Sequence, residues 1–296
     1  MHELKGVFTA LITPFDADGR LDEAGLRHLI KRQLHSGVDG IVPLGTTGEA
    51  PTLSEEEKKR IIMIAREEIP HNVPLMVGSG GYATAASIKS TCQAQELGAD
   101  QALVIVPYYN KPTQEGIYQH FKAIASAVQI PIIIYNNPGR TGCNLHIDTL
   151  KRLADIPNIT GIKEASGNIM QISDTIAAVR EDFPHFSVLS GDDGFTFPLM
   201  ALGGRGVISV VSNLIPKEIK ALTDAALQGN WVAARQHHYH LMPLMKAAFI
   251  ETNPIPIKAA LQLCGLPAGS CRLPLCDLSP ANHALLAELL GAMLPA

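Results

Sequence analysis

The stretch NITGIKEASGN, residues 158–168, sets a short apolar run, ITGI, directly against a lysine and a glutamate. A run of apolar, β-branched residues bounded by Asn, Gly and Ser reads as a strand covered on both faces rather than one alternating between core and water. Such strands belong to parallel sheets, which need long crossover connections. The stretch also poses a chemical question. An ammonium group at the end of a buried strand must either reach back to water or lose it.

The same signal recurs outward from this point in both directions. GVFTALI (6–12), GIVPLG (40–45), PLMVGS (74–79), QALVIVP (101–107) and PIIIY (131–135) precede ITGIK (159–163), and FSVLSG (186–191) and GVISVV (206–211) follow it. Between the runs lie amphipathic stretches with helix punctuation. One starts near Asp22 and stops at Gly37. A second opens with Ser54 and Glu57 in capping-box spacing, and a third ends at Gly98. Two more, TQEGIYQHFKAIASAV and GNIMQISDTIAAVREDF, keep the rhythm. Eight units of roughly thirty residues predict an α/β fold, a (β/α)8 TIM barrel over residues 1–226. After it, NWVAARQHHYHLMPLMKAAFI, NPIPIKAALQLCG and SPANHALLAELLGAML predict a C-terminal helical appendage, residues 227–296. A doubly wound sheet is the other architecture weighed. Its phosphate turn would have to be VGSGGYA (77–83), which lacks the full G-x-G-x-x-G spacing and is followed by no acidic strand end.

Composition excludes several classes. The chain has 296 residues, 46% hydrophobic, with a net charge of −4, so no footprint for nucleic acid or an anionic membrane is expected. No apolar run is long enough to span a bilayer, and the first residues read as no signal peptide, which together predict a cytoplasmic protein. Five cysteines in no zinc-binding spacing predict reduced thiols. The HHYH run (His237, His238, His240) reads as a helix face rather than a metal site.

In a (β/α)8 barrel the reacting groups stand at the C-terminal ends of the strands. The ends here read GTTGE (45–49), PYYNKP (107–112), YNNPGRTG (135–142), KEASG (163–167) and SGDD (190–193). Tyr135 and Lys163 end consecutive strands, about 4.8 Å apart if the two pair. Gly161 falls one step beneath Lys163 on the inner face and is expected to leave room for its side chain. A lysine desolvated in a barrel mouth loses its proton readily and becomes a nucleophile, and a neighbouring phenol can move protons. A lysine merely snorkelling at a strand end is the plainer alternative. Thr46 and Thr47 add two hydroxyls and glycine-freed N–H groups suited to a small carboxylate. The same stretch would also serve as a tight strand-to-helix turn.

These motifs, with ALITPF, PYYNKPTQEGIYQHF, YNNPGRTGC, GIKEASGN, GGRGVISV and ETNPIPIK, run in order from about Gly6 to Leu278. Together they resemble the 4-hydroxy-tetrahydrodipicolinate synthase (dihydrodipicolinate synthase) family, of the N-acetylneuraminate lyase and class I pyruvate aldolase superfamily. The resemblance implies a homotetramer of tight dimers that opens the diaminopimelate branch of lysine biosynthesis without cofactor. Lys163 would form a Schiff base with pyruvate and Tyr135 would shuttle protons. Thr46 would relay them, as would Tyr109, reaching across a dimer interface. Thr47 would hold the pyruvate carboxylate and Arg140 the carboxylate of L-aspartate 4-semialdehyde, while Gly191 and Ile208 would line the pocket. N-acetylneuraminate lyase and keto-deoxy-sugar-acid aldolases share the lysine and tyrosine, but Arg140 suits a short anionic aldehyde. A non-catalytic ligand sensor would be expected to have lost Lys163, Tyr135 or Thr46.

Many members of that family are inhibited by lysine in a cleft at the dimer interface. The positions that match its polar contacts are Glu55, Lys58, Tyr82 and Ala86, with Tyr108 kept. Ala86 brings no carboxylate, Lys58 brings a like charge, and Tyr82 is expected to crowd the cleft. Weak or absent feedback inhibition follows.

Overall fold

The computed structural model describes residues 3–293, so the last three residues of the expected C-terminal segment, 294–296, lie outside the described residues. The chain runs β1 (Gly6–Ala10), α1 (Glu23–His35), β2 (Gly40–Val42), α2 (Glu55–Glu68), β3 (Met76–Gly78), α3 (Thr84–Glu96), β4 (Gln101–Ile105) and α4 (Gln114–Ala127). It continues with β5 (Ile132–Asn136), the single turn α5 (Pro138–Thr141), α6 (Ile147–Ala154), β6 (Ile159–Glu164), α7 (Ile169–Arg180), β7 (Ser187–Ser190), α8 (Thr196–Ala201), β8 (Gly206–Ser209) and α9 (Pro216–Leu227). Three more helices, α10 (Trp231–Ala247), α11 (Ile255–Leu263) and α12 (Pro280–Met293), complete it.

All strand pairings are parallel, in the order β2-β1-β8-β7-β6-β5-β4-β3. The two ends of that order meet through a bridge between Ile41 and Leu75. Gly78 N–H also donates to Pro43 O at 3.0 Å, which closes a (β/α)8 barrel. Each of the eight strands falls on a predicted apolar run. The residue period sorts their side chains. In β5, Ile132 and Ile134 join the core under the helices, while Ile133 and Tyr135 join the barrel interior with Phe8, Met76 and Leu189. A one-residue slip of β5 would exchange those sets and turn Tyr135 outward.

Helix punctuation is realised as hydrogen bonds. Asp22 Oδ1 accepts from Gly25 N–H at 2.8 Å. Ser54 and Glu57 close the capping box, with Ser54 N–H to Glu57 Oε2 at 2.9 Å and Glu57 N–H to Ser54 Oγ at 3.2 Å, a cap of about 1 kcal/mol. Gly98 follows α3 with φ +89°, a backbone state few other residues enter at no cost. The C-terminal helices share one buried core with the barrel: Leu241, Leu244, Ile257 and Leu261 cluster with Val7, Leu11 and Ile41.

Candidate active site

The strands bring Tyr135 and Lys163 together. β5 and β6 pair with Tyr135 opposite Lys163 and Asn136 opposite Glu164, and Lys163 faces Leu189 on its other side. Both side chains point inward, and Lys163 Nζ lies 4.4 Å from the centre of the Tyr135 ring. The outward residues form a second pair behind the first. Glu164 Oε2 accepts from Asn136 Nδ2 at 3.0 Å, and Asn136 Nδ2 also reaches Asn144 Oδ1 at 3.0 Å. The register that joins the inner pair is thus held by buried hydrogen bonds on the outer one.

Room for the lysine comes from a different glycine than the sequence suggested. Gly161 does lie on the inner face, but Leu4 fills the space above it. A Cβ there would meet Leu4 Cδ2 at 2.6 Å and Ser187 O at 2.8 Å. The slot for Lys163 is made by Gly191, where a Cβ would stand 3.0 Å from Lys163 Cε and 3.1 Å from its Cγ. The N-terminal segment enters the barrel floor, a packing that strand periodicity does not contain.

Lys163 is 6% exposed. Burial pushes its amine below the ordinary lysine range, and Arg140 adds to this, while Tyr135, Asp193 and Asp192 pull the other way. For Tyr135, burial alone would raise the phenol. The nearby ammonium of Lys163, a hydrogen bond from Asn137, the charge of Arg140 and the Thr46 hydroxyl outweigh it and lower the value. The two groups are coupled: a charged amine favours phenolate, and a neutral amine leaves the phenol its proton. A neutral amine beside a phenol can attack a carbonyl and have the resulting oxygen protonated.

Thr46, Thr47, Tyr135, Arg140, Lys163 and Gly191 line one cavity of about 520 Å³, open at the C-terminal face of the barrel. Asn137 Nδ2 donates to the Tyr135 hydroxyl at 3.0 Å, and the same side chain's Oδ1 accepts from Arg140 N–H at 3.2 Å, capping α5. Thr47 Oγ1 accepts from Asn253 Nδ2 at 2.9 Å. Two expected residues stand elsewhere. Ile208 packs in the barrel interior, one layer down, and Val210 takes its place in the cavity wall. Tyr109 is 88% exposed on the loop after β4 with φ +70°, outside the site of its own chain.

Several contributors went unread. Asn137 is part of the quoted YNNPGRTG, and its role needs the turn of α5. Asp193, buried, accepts from Ser209 Oγ at 2.5 Å and Val210 N–H at 2.8 Å, and burial pushes it up to about 6. Asn253 and Lys258 lie in ETNPIPIK, a motif that sequence alone attached to no function.

A second cavity of about 250 Å³ is lined by Glu55, Lys58, Ala86, Ser90 and Tyr108 among others. Lys58 Nζ binds Glu55 Oε1 at 2.8 Å, and that bond holds the Glu55 carboxyl below its usual range. Tyr82 is not one of the residues lining this cavity in a single chain; its ring is exposed and lies 6.3 Å from that of Tyr108, which does line it.

A closed (β/α)8 barrel with a buried amine and phenol at adjacent strand ends defines the class of barrel enzymes that react through strand-end side chains. The family model described as the dihydrodipicolinate synthetase family matches residues 3–293. A 4-hydroxy-tetrahydrodipicolinate synthase of Protochlamydia amoebophila is 58% identical over 290 residues, covering 98% of this chain and 97% of the relative. The chain belongs to the dihydrodipicolinate synthetase family and is a lyase of the diaminopimelate route to lysine. Among solved structures, one described as the first monomeric dihydrodipicolinate synthase variant superposes with TM-score 0.96 at 44% identity, covering 98% of this chain and 97% of that one. The dihydrodipicolinate synthase of Acinetobacter baumannii complexed with pyruvate gives 0.95 at 41%, with 98% of each chain covered.

Proposed function

We propose that this lyase condenses pyruvate with L-aspartate 4-semialdehyde to 4-hydroxy-tetrahydrodipicolinate through a Schiff base on Lys163, in the cytoplasm. The observation that carries this reading is the desolvated Lys163 amine set 4.4 Å over the Tyr135 ring in a cavity walled by Arg140 and two threonines. The neutral amine attacks C2 of pyruvate, and the carbinolamine loses its hydroxyl as water to give the Schiff base, with protons passed by Tyr135 and Thr46. Loss of a methyl proton gives an enamine, whose carbon attacks the aldehyde. The amine of the second substrate then displaces Lys163 and closes the ring. Thr47 holds the pyruvate carboxylate. Arg140, at the mouth, receives the other carboxylate as a planar donor. Gly191 and Val210 complete the walls. Borohydride added with pyruvate should place a reduced three-carbon adduct on the peptide containing Lys163 and abolish activity. Labelling elsewhere, or full activity without labelling, would sink the mechanism. Assays of pyruvate with aspartate semialdehyde and with N-acetylmannosamine separate this substrate from the sugar-acid alternative.

The assembly we infer is a homotetramer, a dimer of dimers, in which Tyr109 completes the neighbouring site. Its near-complete exposure in a single chain supports this, since a solvated phenol so placed has no local task. We also infer weak or absent inhibition by lysine. The Glu55 carboxylate is already taken by Lys58, and Ala86 offers none. Losing two charge-assisted hydrogen bonds weakens binding roughly 10²- to 10⁴-fold. A steady-state assay near the pyruvate KM with lysine up to tens of millimolar should show little effect. Half-inhibition below about one millimolar would overturn the inference.

A further inference from the structure

Asn253 lies between α10 and α11 and is 4% exposed, with its side chain in the wall of the active-site cavity. Its Nδ2 donates to Thr47 Oγ1 at 2.9 Å, while its Oδ1 is buried and meets no partner among the described residues. A hydroxyl has one proton and two lone pairs. With one lone pair occupied by Nδ2, the Thr47 proton is free to point elsewhere, and among the described residues Thr47 Oγ1 donates to no protein atom. The cavity is the direction left open. An isolated threonine could turn either its proton or a lone pair toward a ligand, and a lone pair would repel a carboxylate.

We propose that Asn253 is a positioning residue for keto-acid binding: its amide nitrogen sets the Thr47 hydroxyl as a hydrogen-bond donor into the cavity and so selects a carboxylate over a neutral group. This rests on the reading of Thr47 as the residue that holds the pyruvate carboxylate. The placement of the amide is firmly built. Lys258, five residues further on, binds Glu49 Oε1 at 2.7 Å with both side chains buried, and Glu49 stands two residues after Thr47. The two segments are therefore joined at the hydroxyl and again two residues beyond it. An amide kept with its carbonyl oxygen buried and unpaired is placed for what its nitrogen does, since a well-packed apolar residue would otherwise fill the site at lower cost.

The test is borohydride trapping at Lys163 over a range of concentrations, with pyruvate and, as neutral reference, its methyl ester. For Asn253→Ala the half-saturating pyruvate concentration should rise about 5- to 10-fold while that of the ester moves less than twofold. Thr47→Val should show the same pyruvate-selective loss, and adding Asn253→Ala to it should cost less than a further twofold. Equal shifts for pyruvate and ester, or additive losses in the double variant, would overturn the proposal while leaving the Schiff base intact. A wild-type enzyme that traps neither compound overturns the Lys163 reading and this one with it. Should Asn253→Ala fail to fold, Asn253→Ser, whose shorter side chain cannot span the same gap, carries the same expectation.

Discussion

Lys163 and Tyr135 perturb each other because the barrel mouth removes water from both, and each loss of solvation is offset in part by the other's charge. Tyr135→Phe keeps the ring and its packing but removes the hydroxyl that Asn137 holds. It is expected to fold with unchanged thermal stability to within a few degrees and to lose roughly 10²- to 10⁴-fold in kcat, the usual contribution of a positioned proton carrier. Thr46→Val should lose a comparable factor in steady-state assays, and losses below about threefold in both would place the proton path in water instead. The pH dependence has a definite sign. Burial penalises the ammonium, so the neutral amine gains population as pH rises through a midpoint below that of ordinary lysine, about 10.4. Adduct formation at subsaturating pyruvate should therefore climb with pH and level off. Asp193 raises the amine's pKa through its charge, so Asp193→Asn should move that climb to lower pH, measured by trapping rates across the range.

Among the elements, α11 does more than cover the barrel. Lys258 on that helix, 2% exposed, donates to Glu49 Oε1, to Thr13 O at 3.2 Å and to Ser270 O at 3.0 Å, and sits 4.3 Å from the centre of the Phe15 ring. Glu49 also accepts from Arg272 N–H at 2.9 Å, and its own backbone has φ +53°. The ion pair thus ties together the loop after β2, the loop after β1, α11 and the chain before α12. Removing one partner strands a buried charge. Lys258→Met is expected to destabilise the fold by about 3–5 kcal/mol in equilibrium denaturation, more than the Lys258→Met, Glu49→Gln double variant, which leaves no net charge behind. A single-variant cost under about 1 kcal/mol would mean that water reaches Glu49. Conservative surface pairs give the contrast: Arg152 with Glu115, both largely exposed, should contribute little.

For the whole molecule, the exposed Tyr109 is the feature that one chain leaves unexplained. Tyr109→Phe and Lys163→Ala are each expected to be poorly active as pure proteins. Refolded together they should regain activity, since one site in each mixed dimer then has both residues. Mixed dimers seen by native mass spectrometry without any regain would place Tyr109 outside the neighbouring site. The barrel and the helices after it are expected to unfold as one unit, in a single transition by calorimetry, because Leu241, Ile257 and Leu286 share the core that also holds β1. None of the helices among the described residues is long and apolar enough to cross a membrane.

All eight strands, the caps at Asp22 and Ser54 and the stop at Gly98 were legible in the linear chain, because local periodicity and capping chemistry depend on neighbours a few residues away. So was the pairing of Tyr135 with Lys163, since consecutive βα units place consecutive strands side by side. The helices α6, α8 and α9 were not singled out. They are short or follow irregular turns, and packing against strands decides them more than their own pattern. The glycine that makes room for the lysine was misassigned to Gly161, because a strand's periodicity says which residues face inward but not what fills the space there. Only the closed barrel shows Leu4 above Gly161 and Lys163 beside Gly191. Likewise, Asn253 meets Thr47 across 206 positions, and Lys258 meets Glu49 across 209. Contacts at that separation follow from how the C-terminal helices dock on the barrel, and no local rule of propensity, period or capping can state them.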